Sequence, residues 1–209
     1  AINNKEFEMH YQPKVNLTTG KIEGLEALIR WHRPDGKTIS PAVFIPLAEE
    51  SRLIHRIWEW TFQTTCGQIQ EWCQKYGEAI KIAVNLSGRQ FEQPDLVEKV
   101  KNIIIAEGVH PKYVEIEVTE TAVMTNVQAA IDVLKQFREF GIQISLDDFG
   151  SGYTSLGYLK RLPIDTLKID HSFIRDCTDN SNLAIIQGII TISQKMGFKT
   201  IAEGVETQE

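Results

Sequence analysis

Two adjacent aspartates, Asp147 and Asp148, close the apolar run of ISLDDFGSGYTSL. Neighbouring carboxylates repel unless a cation offsets them, so their position at the end of an apolar, β-type segment raises a question of chemistry. They are not isolated. Acids, an amide and two cations fall at or near the ends of other β-type segments: Glu26 and Arg30, Asn85, Glu117 and Glu120, Lys168 and Asp170, Glu203 and Glu206. Any one of these could be a solvated side chain or a helix cap, and Asp170, just before a short HSF segment, suits a cap. Taken together, six or more converging carboxylates would destabilise one another without cations. Oxygen donors of this kind select hard divalent ions such as Mg²⁺ or Mn²⁺. An aspartate pair at one strand end can bridge two such ions, and two metals about 4 Å apart serve in-line displacement at phosphorus. Lys168 has two readings: a buried salt bridge that balances charge, or a lysine that orients and helps deprotonate a water. Arg30 is a candidate bidentate phosphate ligand, with a rim ion pair as the alternative.

These residues need elements that bring strand ends together. FEMHYQPKVNL and IEGLEALIRW read as strands joined through TTGK, an expected hairpin. PAVFIPLAEES reads as a short helix, and a longer one is expected from Leu53 to Lys75. From there strands and helices alternate. KIAVNLS, YVEIEVTE, IQISLDD, DTLKID and FKTIAEGVE are the strands; DLVEKVKNIIIAEG, NVQAAIDVLKQFREFG, TSLGYLKRL and NLAIIQGIITISQKMG are the helices. Glycines just past the periodic residues (Gly108, Gly141, Gly197) are C-cap signals, and Pro163 is expected to stop the short TSLGYLKRL helix. Such alternation implies parallel βαβ units. The expectation is an α/β fold, a (β/α)8 TIM-like barrel with an antiparallel first strand; an open doubly wound sheet is the alternative. Side-chain parity favours the barrel. Val114, Ile116 and Val118 oppose Glu115, Glu117 and Thr119; Ile144 and Leu146 oppose Ser145 and Asp147; Leu167 and Ile169 oppose Lys168 and Asp170. One face is apolar and the other polar on strand after strand, unlike the continuous apolar runs of an ordinary parallel sheet. In a barrel of this type the C-terminal strand ends carry the active site.

Composition narrows the function classes. The 209 residues suit one large domain, 42% of them are hydrophobic, and the net charge of −6 advertises no basic face for a nucleic acid polymer. Three cysteines give no disulfide framework; Cys66 and Cys73 share a helix face and suit core packing. No signal peptide or membrane-length apolar run is present, so a cytoplasmic setting is the default expectation. The five histidines have no HExxH or CxxC context and read as surface or packing residues. The four tryptophans read as core. Residue chemistry alone leads to a metal-dependent phosphoryl or carbon–oxygen enzyme on a barrel.

Ordered along the chain, YQP, GLEALIRW, FIPLAEES, VNLS, EVTE, DDFGSGYTSL, LPIDTLKID and AEGVE resemble the EAL family of cyclic di-GMP phosphodiesterases, whose name-giving triplet is Glu26-Ala27-Leu28. The resemblance covers nearly the whole chain. It implies hydrolysis of cyclic di-GMP to linear pGpG with two ions, Mg²⁺ or Mn²⁺. It implies that Glu26, Asn85, Glu117 and Asp147 hold the first metal, with Asp147 bridging to a second held by Asp148 and Glu203. Glu206 would be a water-mediated ligand and Lys168 would act on the nucleophilic water. Glu120 would anchor the DDFGSGYTSL loop, and Gln12 and Arg30 would contact substrate. A homodimer formed through that loop, and regulatory sensory modules in a longer parent chain, are further implications. Ser151, Thr154 and Arg52 depart from frequent family residues, Arg52 standing where glycine is common. The resemblance also expects a last helix, strand and closing helix after Glu209, which makes residues 1–209 a C-terminally incomplete EAL domain.

Overall fold

The computed structural model describes residues 1–151, 156–177 and 179–205, without the side chains of Asn3 and Leu156. Cα packing divides the chain into two compact units, Ala1–Asn85 with Glu92–Glu115, and Leu86–Phe91 with Ile116–Glu209.

The first unit opens with the expected hairpin, β1 (Phe7–Val15) and β2 (Ile22–His32). The pair is antiparallel, with Glu8 opposite Arg30 and Gln12 opposite Glu26. A two-residue strand too short to announce itself, β3 (Thr38–Ile39), adds to β2. Helices α1 (Pro41–Glu50) and α2 (Ile54–Tyr76) follow. Between them Arg52 takes the left-handed backbone, φ 60°, which is the physical reason a glycine suits that position. The next strand, β4 (Ile82–Leu86), runs parallel to β2 and places Ala83 beside Glu26. Helix α3 (Leu96–Ala106) buries Leu96, Val97, Val100 and Ile104 at helical spacing. Of the tryptophans, Trp58 is buried as expected; Trp31, Trp60 and Trp72 are half-buried in aromatic contacts rather than fully in the core. Cys66 is buried, and burial pushes its thiol up to about 12, an inert packing residue.

Strand β5 (Val114–Thr119) leads into the second unit. There α4 (Glu120–Thr125) and α5 (Val127–Phe140) start on Thr119 and Asn126, whose side chains accept from Ala122 N and Ala129 N. These are the N-cap bonds that short polar residues supply. Strand β6 (Gln143–Phe149), helix α6 (Leu156–Leu159), strand β7 (Thr166–Ile169), helices α7 (His171–Arg175) and α8 (Asn180–Met196), and strand β8 (Lys199–Ala202) complete it. Strands β6, β7 and β8 pair in parallel in that order. Gly141 and Gly197 end α5 and α8 with left-handed backbone, as their sequence positions predict.

Two boundaries differ from expectation. Helix α6 stops at Leu159, before Pro163, and the chain goes on in a hydrogen-bonded turn in which Tyr158 O accepts from both Arg161 N and Leu162 N. Strand β8 ends at Ala202, because Gly204 turns the chain at φ 69°. The polar strand faces are also more deeply buried than an open lumen would leave them: Glu115, Glu117, Ser145 and Lys168 are all at or below 1% exposure.

The start of β7 is tied to both neighbours by one residue. Asp165 Oδ2 accepts from Ile144 N at 2.9 Å and Asp165 Oδ1 from Arg138 at 3.0 Å. Its backbone N–H donates to Ile144 O, and its carbonyl accepts from Lys199 N.

Candidate active site

In the first unit, Glu26 and Asn85 come together from β2 and β4. Asn85 Nδ2 donates to Glu26 Oε1 at 2.8 Å, and the indole of buried Trp58 donates to the Asn85 carbonyl at 2.9 Å. The Asn85 side chain is exposed and Glu26 partly so. Gln12 sits opposite Glu26 in the hairpin register, and Arg30, four residues further along β2, shares that face. Arg30 is half-buried, with Nη1 donating to Ile29 O at 3.0 Å.

In the second unit, β5, β6, β7 and the segment after β8 deliver an ion cluster centred on Lys168. Its Nζ lies 3.1 Å from Glu117 Oε2, 3.0 Å from Asp147 Oδ2 and 2.7 Å from Glu203 Oε1. The lysine is 1% exposed. A charge so deeply buried must be paired. The salt-bridge reading of Lys168 therefore holds geometrically, and the same contacts set its ammonium among the acids. Asp148 adds a fourth carboxylate. Its backbone N–H donates to Asp147 Oδ1 at 2.9 Å, and its φ of 53° turns its side chain back toward its neighbour's. Burial, then the Asp147 and Asp170 carboxylates, push the Asp148 carboxyl up to about 6.

One oxygen each from Asp147, Asp148 and Glu203 lies within 4.8 Å of the others. One ammonium facing four carboxylates leaves negative charge in excess. The donors are all oxygen, so the cluster fits a hard divalent ion.

Glu120, at the start of α4, is buried, and its Oε2 accepts from Gly150 N at 2.9 Å. The backbone after Asp148 turns tightly, with Ser151 N and Oγ both donating to Asp148 O. Asp170 is the cap its sequence context suggests: Oδ1 accepts from Ser172 N at 2.8 Å and from the Ser172 hydroxyl. Burial opposes the charged form of Asp170, but the Ser172 donors outweigh it and lower its pKa. Its bond to Asp148 was not legible from sequence, because nothing in the spacing brings the residue after β7 against the end of β6. Glu206 and residues 152–155 of the DDFGSGYTSL loop lie outside the described residues.

Glu115 belongs to a different arrangement. Lys14 Nζ and Lys81 Nζ bind its two oxygens at 2.8 and 2.5 Å. Burial disfavours its ionised form, but the two ammonium groups prevail and hold it at about 2. It is a structural ion triad within the first unit.

Comparison with known proteins places this geometry. The family model described as EAL domain matches residues 1–209. The bifunctional diguanylate cyclase/cyclic di-GMP phosphodiesterase MucR of Pseudomonas aeruginosa is 41% identical over 209 residues, which cover 100% of this chain and 30% of that protein. Cyclic di-GMP phosphodiesterase PdeR of Escherichia coli is 36% identical over 208 residues, 99% of this chain and 31% of the relative. The chain thus spans about 30% of the length of these relatives. A solved structure of the PaMucR phosphodiesterase in complex with c-di-GMP matches with a TM-score of 0.95 at 41% identity, covering 100% of this chain and 85% of that one. The fold class is the TIM-like α/β one expected from the strand–helix alternation and the antiparallel entry strand. Matched along its full length by the family model, the chain belongs to the EAL domain family.

Proposed function

We propose that this chain is a phosphodiesterase domain that hydrolyses one phosphodiester bond of cyclic di-GMP to linear pGpG, with Mg²⁺ or Mn²⁺ as cofactor. The observation that carries the reading is the Lys168 cluster, in which Glu117, Asp147 and Glu203 lie within 3.1 Å of one buried ammonium and Asp148 stands beside them. The names of MucR and PdeR support the substrate class.

In this reading Asp147, Asp148, Glu203 and Glu117 are oxygen ligands, and Glu26 and Asn85 are a second ligand pair. Glu206 is a water-mediated one. Two bound ions would supply positive charge at the phosphodiester and acidify water. Lys168 Nζ, held by three carboxylates, orients the attacking water and holds a proton. The Arg30 guanidinium takes a phosphate oxygen and the Gln12 amide a polar edge of the substrate. Glu120 fixes Gly150 and through it the start of the loop. Pairing of two copies through that loop, a cytoplasmic setting and regulatory modules in a parent chain complete the proposal. The greater length of the relatives supports the last. No described helix is long and apolar enough to cross a membrane.

The test is to incubate the protein with cyclic di-GMP and Mn²⁺ or Mg²⁺ and follow pGpG. Metal-dependent turnover is expected. Tight binding without turnover would replace the enzyme reading with that of a cyclic di-GMP receptor of the same fold.

A further inference from the structure

The hairpin carries a cross-strand group of donors that the reaction does not use. Glu8 and His10 are two residues apart on β1 and so share a face. His32, at the end of β2, lies diagonal to Glu8, whose direct partner is Arg30. His32 Nε2 is 3.3 Å from Glu8 Oε2, and His10 Nε2 is 3.9 Å from Glu8 Oε1. One ligand atom from each of the three lies within 4.8 Å of the others.

Three features make this more than a surface ion pair. First, His32 is oriented from behind: its Nδ1 lies 3.0 Å from the Thr38 hydroxyl on β3. That hydroxyl can accept the Nδ1–H and leave Nε2 as the bare nitrogen, the outer-shell bond that metal-binding imidazoles usually have. Second, the two imidazole centroids are 6.4 Å apart, near the roughly 5 Å expected of two imidazoles on one tetrahedral ion. Side chains 44–63% exposed can close that difference by small rotations. Third, the opposite face of the hairpin is packed against aromatic rings. Phe7, Trp31 and Phe44 pack with ring centroids 5.5–5.8 Å apart, and Trp31 Nε1 donates to Glu6 at 2.9 Å.

We propose that Glu8, His10 and His32 form a binding site for a borderline transition-metal ion, Zn²⁺ above all. Two imidazoles and one carboxylate form a Zn²⁺ donor set with a fourth position left for water. They differ in kind from the all-oxygen acids around Lys168, which suit Mg²⁺ or Mn²⁺. The inference stands whether or not the chain hydrolyses cyclic di-GMP.

The experiment is calorimetric titration of the protein with Zn²⁺ in saturating Mg²⁺, with Co²⁺ absorption as the spectroscopic readout. One Zn²⁺ is expected to be lost from the stoichiometry in His10→Ala/His32→Ala, together with the ligand-field bands of nitrogen-ligated Co²⁺. Thr38→Val should weaken this site about tenfold, acting through His32. As a check that needs no variant, the imidazole ¹⁵N resonances of His10 and His32 should move together on adding Zn²⁺ while those of His55 and His110 stay. Unchanged Zn²⁺ stoichiometry and affinity in the double variant, or unmoved His10 and His32 resonances, would overturn the proposal.

Discussion

Asp148→Asn should stabilise the metal-free protein and weaken its hold on divalent ions. Asp148 ionises in the folded chain at about 6 against an ordinary 3.8. Below about pH 4 it is protonated in both folded and unfolded chains and affects stability little. Between about 4 and 6 the unfolded chain ionises first, so stability falls as pH rises; above about 6 the penalty is constant. A shift of about two units corresponds to nearly 3 kcal/mol for a buried group. Asp148 is only half-buried, so solvent screening reduces this to about 1 kcal/mol. Asparagine tolerates the left-handed φ at this position, and its amide can still donate to Asp170. In chelator at pH 8, Asp148→Asn should therefore melt about 2–4 °C above the parent, and the gain should vanish near pH 4. Excess Mn²⁺ should reverse the order, because the parent gains more from ligand binding. Equal melting temperatures in chelator at pH 8, or a difference undiminished at pH 4, would refute the electrostatic account of this pair.

Lys168→Met should abolish turnover of cyclic di-GMP and, by stranding three carboxylates, destabilise the metal-free fold by about 3–5 kcal/mol; wild-type turnover would disprove the role given to its ammonium. Glu115→Gln should cost about 3 kcal/mol at neutral pH, read by urea denaturation. Glu115 is held at about 2 against an ordinary 4.5, so its contribution is present above about pH 4.5 and is lost as pH falls toward 2. Gly150→Ala should cost about 1–3 kcal/mol in melts, since φ is 99° and a Cβ would lie 2.7 Å from the Phe173 ring. Arg52→Gly should be neutral or stabilising by up to about 1 kcal/mol in the same assay, because it relieves φ 60°.

Strand parity was enough to set Lys168, Asp147 and Glu117 on the polar face, because the period of two does not depend on tertiary context. It could not decide between the readings of Lys168. That choice depends on distances to residues 21, 35 and 51 positions away, which only the side-by-side order of β5, β6, β7 and β8 sets. Helices longer than two turns could be read from periodicity and glycine caps; α4, α7 and β3 were too short to show a period. Glu115 and Glu117 look alike in YVEIEVTE, yet one meets two lysines and the other a catalytic candidate, a difference carried by residues far away in sequence. The Glu8, His10 and His32 group had no linear signature, since cross-strand neighbours are set by hairpin register.

The fourfold tie at Asp165 has a consequence for the charge at the other end of β7. A strand's side chains alternate, so a slip of one residue would exchange its faces. Lys168 would then point toward the apolar layer, and Leu167 toward the acids. Asp165 makes that slip costly. Its carboxylate takes Ile144 N while its own amide returns to Ile144 O, and its carbonyl fixes Lys199. The aspartate acts as a phase reference for three strands, and the face on which the Lys168 ammonium sits is decided three residues before the lysine is reached.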